Sequence, residues 1–311
     1  MNTMKALVKD KDTVLVREMP YPTLQSDHEV IIQVERAGLC RTDVYVAERR
    51  IAAPDPLVLG HEFAGVIRVL GDQVATLRVG DRVTVNPMLA CGLCPTCLAG
   101  NALSCQHSRF LGVHQHGAFA EYIAVPAMAV YPLPDGVTFT QGAYTEPVAA
   151  SLAVLKAGIE AHEKGLIYGD NRIAHLTKQI LDVYGFTDVA VCDATTAVLP
   201  ADTYDFIIET LATTETLEEI IRAIRPLGKI ILKSRQYQPV SLILSDLIKK
   251  EPVFHAVNYG SFETSLDLIA DRRLEVDGLM GEVFLLEEFA EVFARSKNSE
   301  SLKLFFAPGE G

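Results

Sequence analysis

The sequence predicts an α/β protein with a β-rich part, and three observations predict it. The first half alternates short apolar runs with Gly and Pro, the second half alternates strand-like and helix-like segments, and the change falls near Glu146. With 311 residues, 49% apolar and 22% charged, the chain has material for two cores, so two domains are expected.

In the first half ALVKD, TVLVRE and EVIIQVERAG, then FAGVIRVLG, DRVTVNP and AEYIAVP, read as strands of an all-β, barrel-like domain. Beyond Glu146, AASLAVLKAGI reads as a helix and GLIYG as a buried strand. RIAHLTKQILDVYG follows with apolar residues at three- and four-residue steps, and DVAVCDA is a second strand. YDFIIET, TLEEIIRAIRPLG and KIILKS repeat strand, helix, strand. This order predicts a parallel sheet with crossover helices. After Tyr259 come a helix, SFETSLDLIADRRL, an acidic amphipathic segment, LLEEFAEVFARSKN, and a closing strand, LKLFFAP.

A formal charge of −12, with Lys and Arg scattered singly or in pairs, leaves no broad basic surface and argues against nucleic acid as a partner. No run of eighteen apolar residues and no secretory signal is present, so a soluble, cytoplasmic protein with no membrane partner is expected.

CGLCPTCLAGNALSC places Cys91, Cys94, Cys97 and Cys105 at a Cys-x2-Cys-x2-Cys-x7-Cys spacing. Four thiolates so spaced close tetrahedrally on one Zn2+ and leave no position for water, which is a structural site. Buried or redox cysteines do not repeat a two-residue spacer in this way, and an iron-sulfur cluster is the main competitor. A nucleic-acid-binding zinc ribbon is weaker, because no Lys or Arg lies between Cys91 and Cys105. Cys40, His61 and Glu146 each sit where a turn follows an extended segment. A thiolate, an imidazole and a carboxylate can hold a catalytic zinc with its fourth position open. Singly, each has a plainer reading: Cys40 as core, His61 as a satisfied core histidine, Glu146 as a helix N-terminal charge ahead of Pro147.

Gly38-Leu39-Cys40-Arg41-Thr42-Asp43, Gly60-His61-Glu62, Gly80-Asp81-Arg82-Val83, the cysteine cluster, Gly117-Ala118-Phe119-Ala120-Glu121-Tyr122 and Glu146-Pro147 occur in this order. Together they resemble the zinc-dependent medium-chain dehydrogenase/reductase family, which contains alcohol, sorbitol and threonine dehydrogenases. The resemblance covers nearly the whole chain and is dense over residues 30–150. It implies a GroES-like catalytic domain over 1–150, completed by about 265–311, a Rossmann domain with a doubly wound parallel sheet over 151–264, and an active site in the cleft between them. It makes Cys40, His61 and Glu146 catalytic zinc ligands, with Glu62 a neighbouring carboxylate that approaches or replaces a ligand. Thr42 becomes the hydroxyl that passes the alcohol proton, Asp43 the acid that orients His61, and Arg41 a cation against the cofactor pyrophosphate. Where some members continue the proton relay with a histidine, this chain has Tyr45.

The cofactor signal departs from the family pattern. A strand should lead into Gly-x-Gly-x-x-Gly, since the tight turn and close approach to pyrophosphate need residues without a side chain. Here the residues are Gly169-Asp170-Asn171-Arg172-Ile173-Ala174, and only the first glycine survives. Asn171 tolerates an unusual backbone angle and Ala174 serves as a third residue, but Asp170 adds negative charge where phosphates would sit. Asp193, 24 residues after Gly169, is placed to bond ribose hydroxyls and favours NAD over NADP, or is simply a strand-end turn residue. Only about a dozen residues, including ATTAVLPADT, separate Asp193 from YDFIIET, so the Rossmann sheet is expected to lack one α-β unit and part of the adenosine pocket. Lys303 matches a basic position that approaches the cofactor phosphates, its alternative being a solvated lysine. His114 and His116 read as surface-loop residues.

The expected function is a zinc-dependent oxidoreductase that transfers a hydride between a secondary alcohol, polyol or sugar-derived hydroxyl and NAD. Its partners are a small-molecule alcohol or carbonyl substrate and copies of itself in a homodimer or homotetramer. The alternatives are a non-redox zinc enzyme, lyase- or epimerase-like, and a non-catalytic metabolite-binding relative.

Overall fold

The computed structural model describes residues 3–193, 198–235, 238–298 and 301–310. The chain divides into two compact units, Met1–Glu146 with Ile269–Asp271 and Val276–Gly311, and Pro147–Leu268 with Arg272–Glu275.

The first unit is built on a seven-stranded sheet. Its strand order is Val130–Pro132, Arg82–Val85, Glu62–Leu70, Glu29–Gly38, Lys303–Phe306 and Met280–Phe284, with Tyr122–Pro126 also paired to Glu29–Gly38. Glu29–Gly38 serves three neighbours because Tyr122–Pro126 pairs with its residues 29–33 and Lys303–Phe306 with residues 37–38, while Glu62–Leu70 runs along it with register shifts at Ile31/Ile32 and Val34/Arg36. A smaller sheet joins Thr13–Pro20, Thr3–Asp10 and Leu57–Val58. Alternating apolar residues of these strands, with Phe119 from the bend before Tyr122–Pro126, meet in one core that includes Leu7, Ile32, Phe63, Val83 and Phe306. The end of Glu29–Gly38 turns directly into the helix Arg41–Ala47, which sequence periodicity alone does not reveal.

The second unit holds five parallel strands in the order Val189–Cys192, Gly165–Tyr168, Tyr204–Glu209, Ile224–Leu232, Val253–Ala256. Successive side chains go to opposite faces. Ile167, Phe206, Ile208 and Ile231 pack with Ala174 and Leu181 of the helix Arg172–Val183, whereas Leu166, Ile207 and Ile230 pack with Leu217 and Ile220 of Thr214–Ala223. A sheet buried on both faces reads as the continuous apolar runs seen in LIYG and YDFIIE. Numbered along a six-stranded dinucleotide fold of order 3-2-1-4-5-6, the observed order lacks strand 3, the unit expected to be missing. No helix stands between Val189–Cys192 and Tyr204–Glu209 among the described residues, and residues 194–197 of the shortened segment lie outside them.

Two expectations change. TLEEIIRAIRPLG is not one helix: the helix ends at Ala223 and the strand begins at Ile224. Residues 225–228 bulge where Tyr204 pairs with Ile224 but Phe206 with Lys229, and Leu227 takes a φ of 63°. The helix Leu244–Lys250 and the strands Val253–Ala256 and Met280–Phe284 add to the elements expected from the sequence. No helix among the described residues is long and apolar enough to cross a membrane.

Candidate metal centres and nucleotide loop

The helix Arg41–Ala47 starts where Cys40, still extended at φ −102°, acts as its N-cap residue. Asp43, in the first turn and wholly buried, reaches back. One carboxylate oxygen accepts the Cys40 N–H at 2.9 Å; the other accepts the Gly60 N–H at 3.1 Å and lies 3.1 Å from His61 Nδ1. A single side chain therefore fixes the loop carrying Cys40, the turn before His61 and the imidazole itself. Gly60 makes that turn at φ +94°, where a Cβ would lie 2.5 Å from the Phe119 ring, so any other residue is excluded. The Phe110 ring packs on the imidazole at 5.1 Å between centroids. Its role had no signal in the sequence.

His61 is fully buried, and its Nε2 has no hydrogen-bond partner. With Nδ1 held by a carboxylate, Nε2 presents its lone pair, and a buried lone pair with no donor is the arrangement a metal satisfies. The thiol of Cys40, a ring nitrogen of His61 and a carboxylate oxygen of Glu62 all lie within 4.8 Å of one another. Burial alone raises the Cys40 thiol, but the charges of the His61 imidazole and of Lys303 outweigh it and bring it to about 6. Burial works against charge on His61, yet Asp43 and Cys40 hold its pKa well above the ordinary value, and it is the Nε2 proton that a metal would replace. Burial pushes the Glu62 carboxyl well above the usual range, with Lys303 pulling against it.

Glu146, in the first turn of Thr145–Leu152, is buried, and its charge acts on both Cys40 and Glu62; the compact three-residue group, however, contains Glu62 and not Glu146. Thr42 is buried two residues from Cys40, Arg41 is exposed at the start of the helix, and Tyr45 carries the Arg50 guanidinium over its ring at 5.3 Å. Lys303 departs from expectation: it is neither solvated nor available to a phosphate. It is 1% exposed and ion-paired with Glu62 across the end of Glu29–Gly38. That crossing needs Gly38, because a Cβ there would lie 2.6 Å from the Glu62 carboxylate and 2.8 Å from the Lys303 chain. His114 and His116 are exposed, and each accepts a backbone N–H, from Phe110 at 2.9 Å and Val58 at 3.1 Å.

The four cysteines form a second group with sulfurs mutually within 4.8 Å, and all are free thiols. Cys94 caps the short helix Pro95–Leu98, Pro95 starting it, and Cys105 ends the 3-10 turn Ala102–Ser104, so two tight turns fold the ligands together. Four sulfurs at about 2.3 Å from one zinc stand about 3.8 Å apart. Cys94 Sγ lies 3.4 Å from Cys97 Sγ and 3.8 Å from Cys105 Sγ. Hydrogen bonds from Thr96 and the Cys97 backbone lower Cys94 to about 5, while burial and the neighbouring cysteines drive Cys97 to about 12. Sulfurs this close cannot all ionise without a cation among them, so this donor set fits a structural zinc.

Residues 26–135 match the alcohol dehydrogenase GroES-like domain. The chain is 26% identical to a sorbitol dehydrogenase of Halalkalibacterium halodurans, covering 98% of this chain and 99% of that one. It superposes on galactitol-1-phosphate dehydrogenase from Escherichia coli with a TM-score of 0.84 at 25% identity, covering 98% and 100% of the two chains. The NADP-bound structure of a candidate zinc-binding dehydrogenase from Sinorhizobium meliloti gives a TM-score of 0.89 at 25% identity, covering 99% and 100%. Residues 26–135 thus carry an alcohol dehydrogenase GroES-like domain, and the chain as a whole is similar to zinc-dependent medium-chain dehydrogenases. The alignment with the sorbitol dehydrogenase runs over 342 positions against 311 residues here, so that relative of the family carries segments this chain lacks.

The loop expected from the sequence to receive a nucleotide lies at the ends of the first two strands of the second unit. Gly169 follows Gly165–Tyr168, has a φ of +120°, and donates its N–H to Cys192 O at 3.0 Å, beside exposed Asp193. A Cβ at Gly169 would meet the Thr210 hydroxyl at 2.3 Å. Asn171 is not in a left-handed conformation as expected. At φ −140° it is the N-cap of Arg172–Val183, its carbonyl oxygen accepting the Ile173 and Ala174 N–H groups at 3.0 Å each and its amide donating to Thr210 Oγ1 at 2.9 Å. Asp170 is half-exposed and paired with His175 Nε2 at 2.7 Å.

The cysteine lobe supports a prediction of its own. Cys94→Ser is expected to remove one of two zincs found by elemental analysis and to lower the thermal midpoint, because folding and zinc binding are linked there. An unchanged zinc content would show that these cysteines hold no metal.

Proposed function

We propose that the protein is a zinc-dependent dehydrogenase that transfers a hydride between NAD and a secondary alcohol of a polyol or sugar-derived substrate. The observation that carries this reading is the Cys40, His61 and Glu62 group built around Asp43, with its buried and unpartnered Nε2. Cys40 and His61 hold the catalytic zinc, and Glu146 completes a Cys-His-Glu set because the charge of Glu62 is committed to Lys303. Zinc so held supplies Lewis acidity that lowers the pKa of a bound hydroxyl, and NAD accepts the hydride. Asp43 fixes the tautomer of His61 so that Nε2 faces away from the carboxylate. The Thr42 hydroxyl, two residues from Cys40, takes the substrate proton. Tyr45 stands where some members of the family place a histidine, so as Thr42 takes the substrate proton it gives its own to water. Asp193 at the strand end favours NAD, and a carboxylate third ligand leans toward polyols by analogy with the named relatives.

The test is NADH formation at 340 nm with zinc-loaded protein, NAD and a panel containing sorbitol, galactitol 1-phosphate and simple secondary alcohols. Turnover of a polyol, lost on chelation and restored by zinc, is expected. Protein that binds NADH yet turns over none of the panel would refute the substrate class.

A further inference from the structure

A dinucleotide fold holds pyrophosphate at the N-terminus of the helix after its first strand, where unpaired N–H groups and the helix dipole favour an anion. In this chain the helix is Arg172–Val183, and that position is already filled. The side-chain carbonyl of Asn171 takes the N–H groups of Ile173 and Ala174, and the Asn171 amide is tied to Thr210 Oγ1, which in turn donates to Tyr168 O at 3.0 Å. The preceding residue, Asp170, contributes a carboxylate rather than a small neutral side chain, and it is held at the loop by His175 Nε2 at 2.7 Å. The strand end and Gly169 keep the backbone geometry of a nucleotide loop, while two of the helix's anion-binding donors, the N–H groups of Ile173 and Ala174, are taken by the Asn171 side chain.

We infer that Asp170 and Asn171 are affinity-determining residues that make this loop a weak binder of the cofactor diphosphate. A phosphate oxygen must displace the Asn171 carbonyl from two N–H groups and approach the Asp170 carboxylate, and both effects oppose it. This inference rests on the reading of the protein as a nicotinamide-dependent dehydrogenase. It adds that the chain is held to low cofactor affinity by two side chains rather than by loss of the fold.

The experiment titrates NADH fluorescence on zinc-loaded, full-length protein for the unaltered chain, Asp170→Ala, Asn171→Gly and the double variant. Glycine is nearly as good an N-cap as asparagine, so Asn171→Gly keeps its helix, and thermal unfolding checks that it does. Asp170→Ala leaves the cap untouched and is informative even if Asn171→Gly fails to fold. The dissociation constant should fall about threefold in each single variant and about tenfold in the double, from the size of cap and helix-end charge effects. Binding that appears only in the variants supports the inference equally. Equal or weaker binding by Asp170→Ala and the double variant, with the unaltered chain binding NADH, overturns the inference and leaves the dehydrogenase reading standing. No binding by any of the four at millimolar NADH overturns both and favours a non-redox zinc enzyme.

Discussion

Asp43→Ala is expected to lower stability by about 3–5 kcal/mol and to empty the Cys40 metal centre. The Asp43 carboxylate is the acceptor for two backbone N–H groups, of Cys40 and Gly60, and the partner of His61 Nδ1, all around a wholly buried residue. Alanine strands the two N–H groups without water to replace the lost acceptor, at about 1–3 kcal/mol for each buried group left unsatisfied. The imidazole loses the group that fixes its tautomer, and loss of such a partner weakens metal affinity by about 10–100-fold. Asp43→Asn separates the two effects. Its carbonyl can still accept from Gly60 and from His61 Nδ1–H, while its NH2 opposes the Cys40 N–H, donor against donor, so this variant should lose stability while keeping more of its zinc affinity than the alanine variant. Urea unfolding and a chelator competition for zinc measure the two quantities. If Asp43→Ala kept both the zinc and the stability of the unaltered protein, the claim that this carboxylate organises the centre would be wrong.

What the sequence made legible depends on how local each signal is. The cysteine lobe was readable because one short segment supplies every sulfur, and two turns bring the sulfurs together. The parallel sheet was readable because its strands are apolar on both faces and its helices carry their own period. The helix Arg41–Ala47 was not, since Thr42, Val44 and Val46 are β-branched at every second position, a strand pattern; the helix is set instead by Cys40 capping and the Asp43 back-bond. Asn171 carried a readable cap signal, a short polar residue ahead of an amphipathic run, which the expectation of a glycine loop obscured. The partnership of Lys303 with Glu62 had no local signal at all, because it joins strands from opposite ends of the chain through a gap left by Gly38.

That buried pair yields the second large effect. Lys303→Met is expected to destabilise the protein by about 3–5 kcal/mol, the usual result of removing one partner from a buried ion pair. Lys303 and Glu62 have side-chain exposures of 1% and 2%, so neither charge can turn to solvent when its partner is gone. Methionine fills the lysine volume, and the loss therefore measures the stranded carboxylate rather than a cavity. Glu62 would have to take up a proton, toward which burial already biases it. Adding Glu62→Gln to Lys303→Met removes the charge and should recover most of the stability, since a buried pair is worth little more than a well-packed neutral replacement. Gly38→Ala provides an independent route to the same defect: its methyl group meets both side chains, and the pair must separate or the strand must shift. Urea midpoints for the four proteins decide the matter. Lys303→Met alone matching the unaltered chain to within about 1 kcal/mol would mean that the ammonium does not compensate Glu62, and that Glu62 is already neutral beside the Cys40 centre.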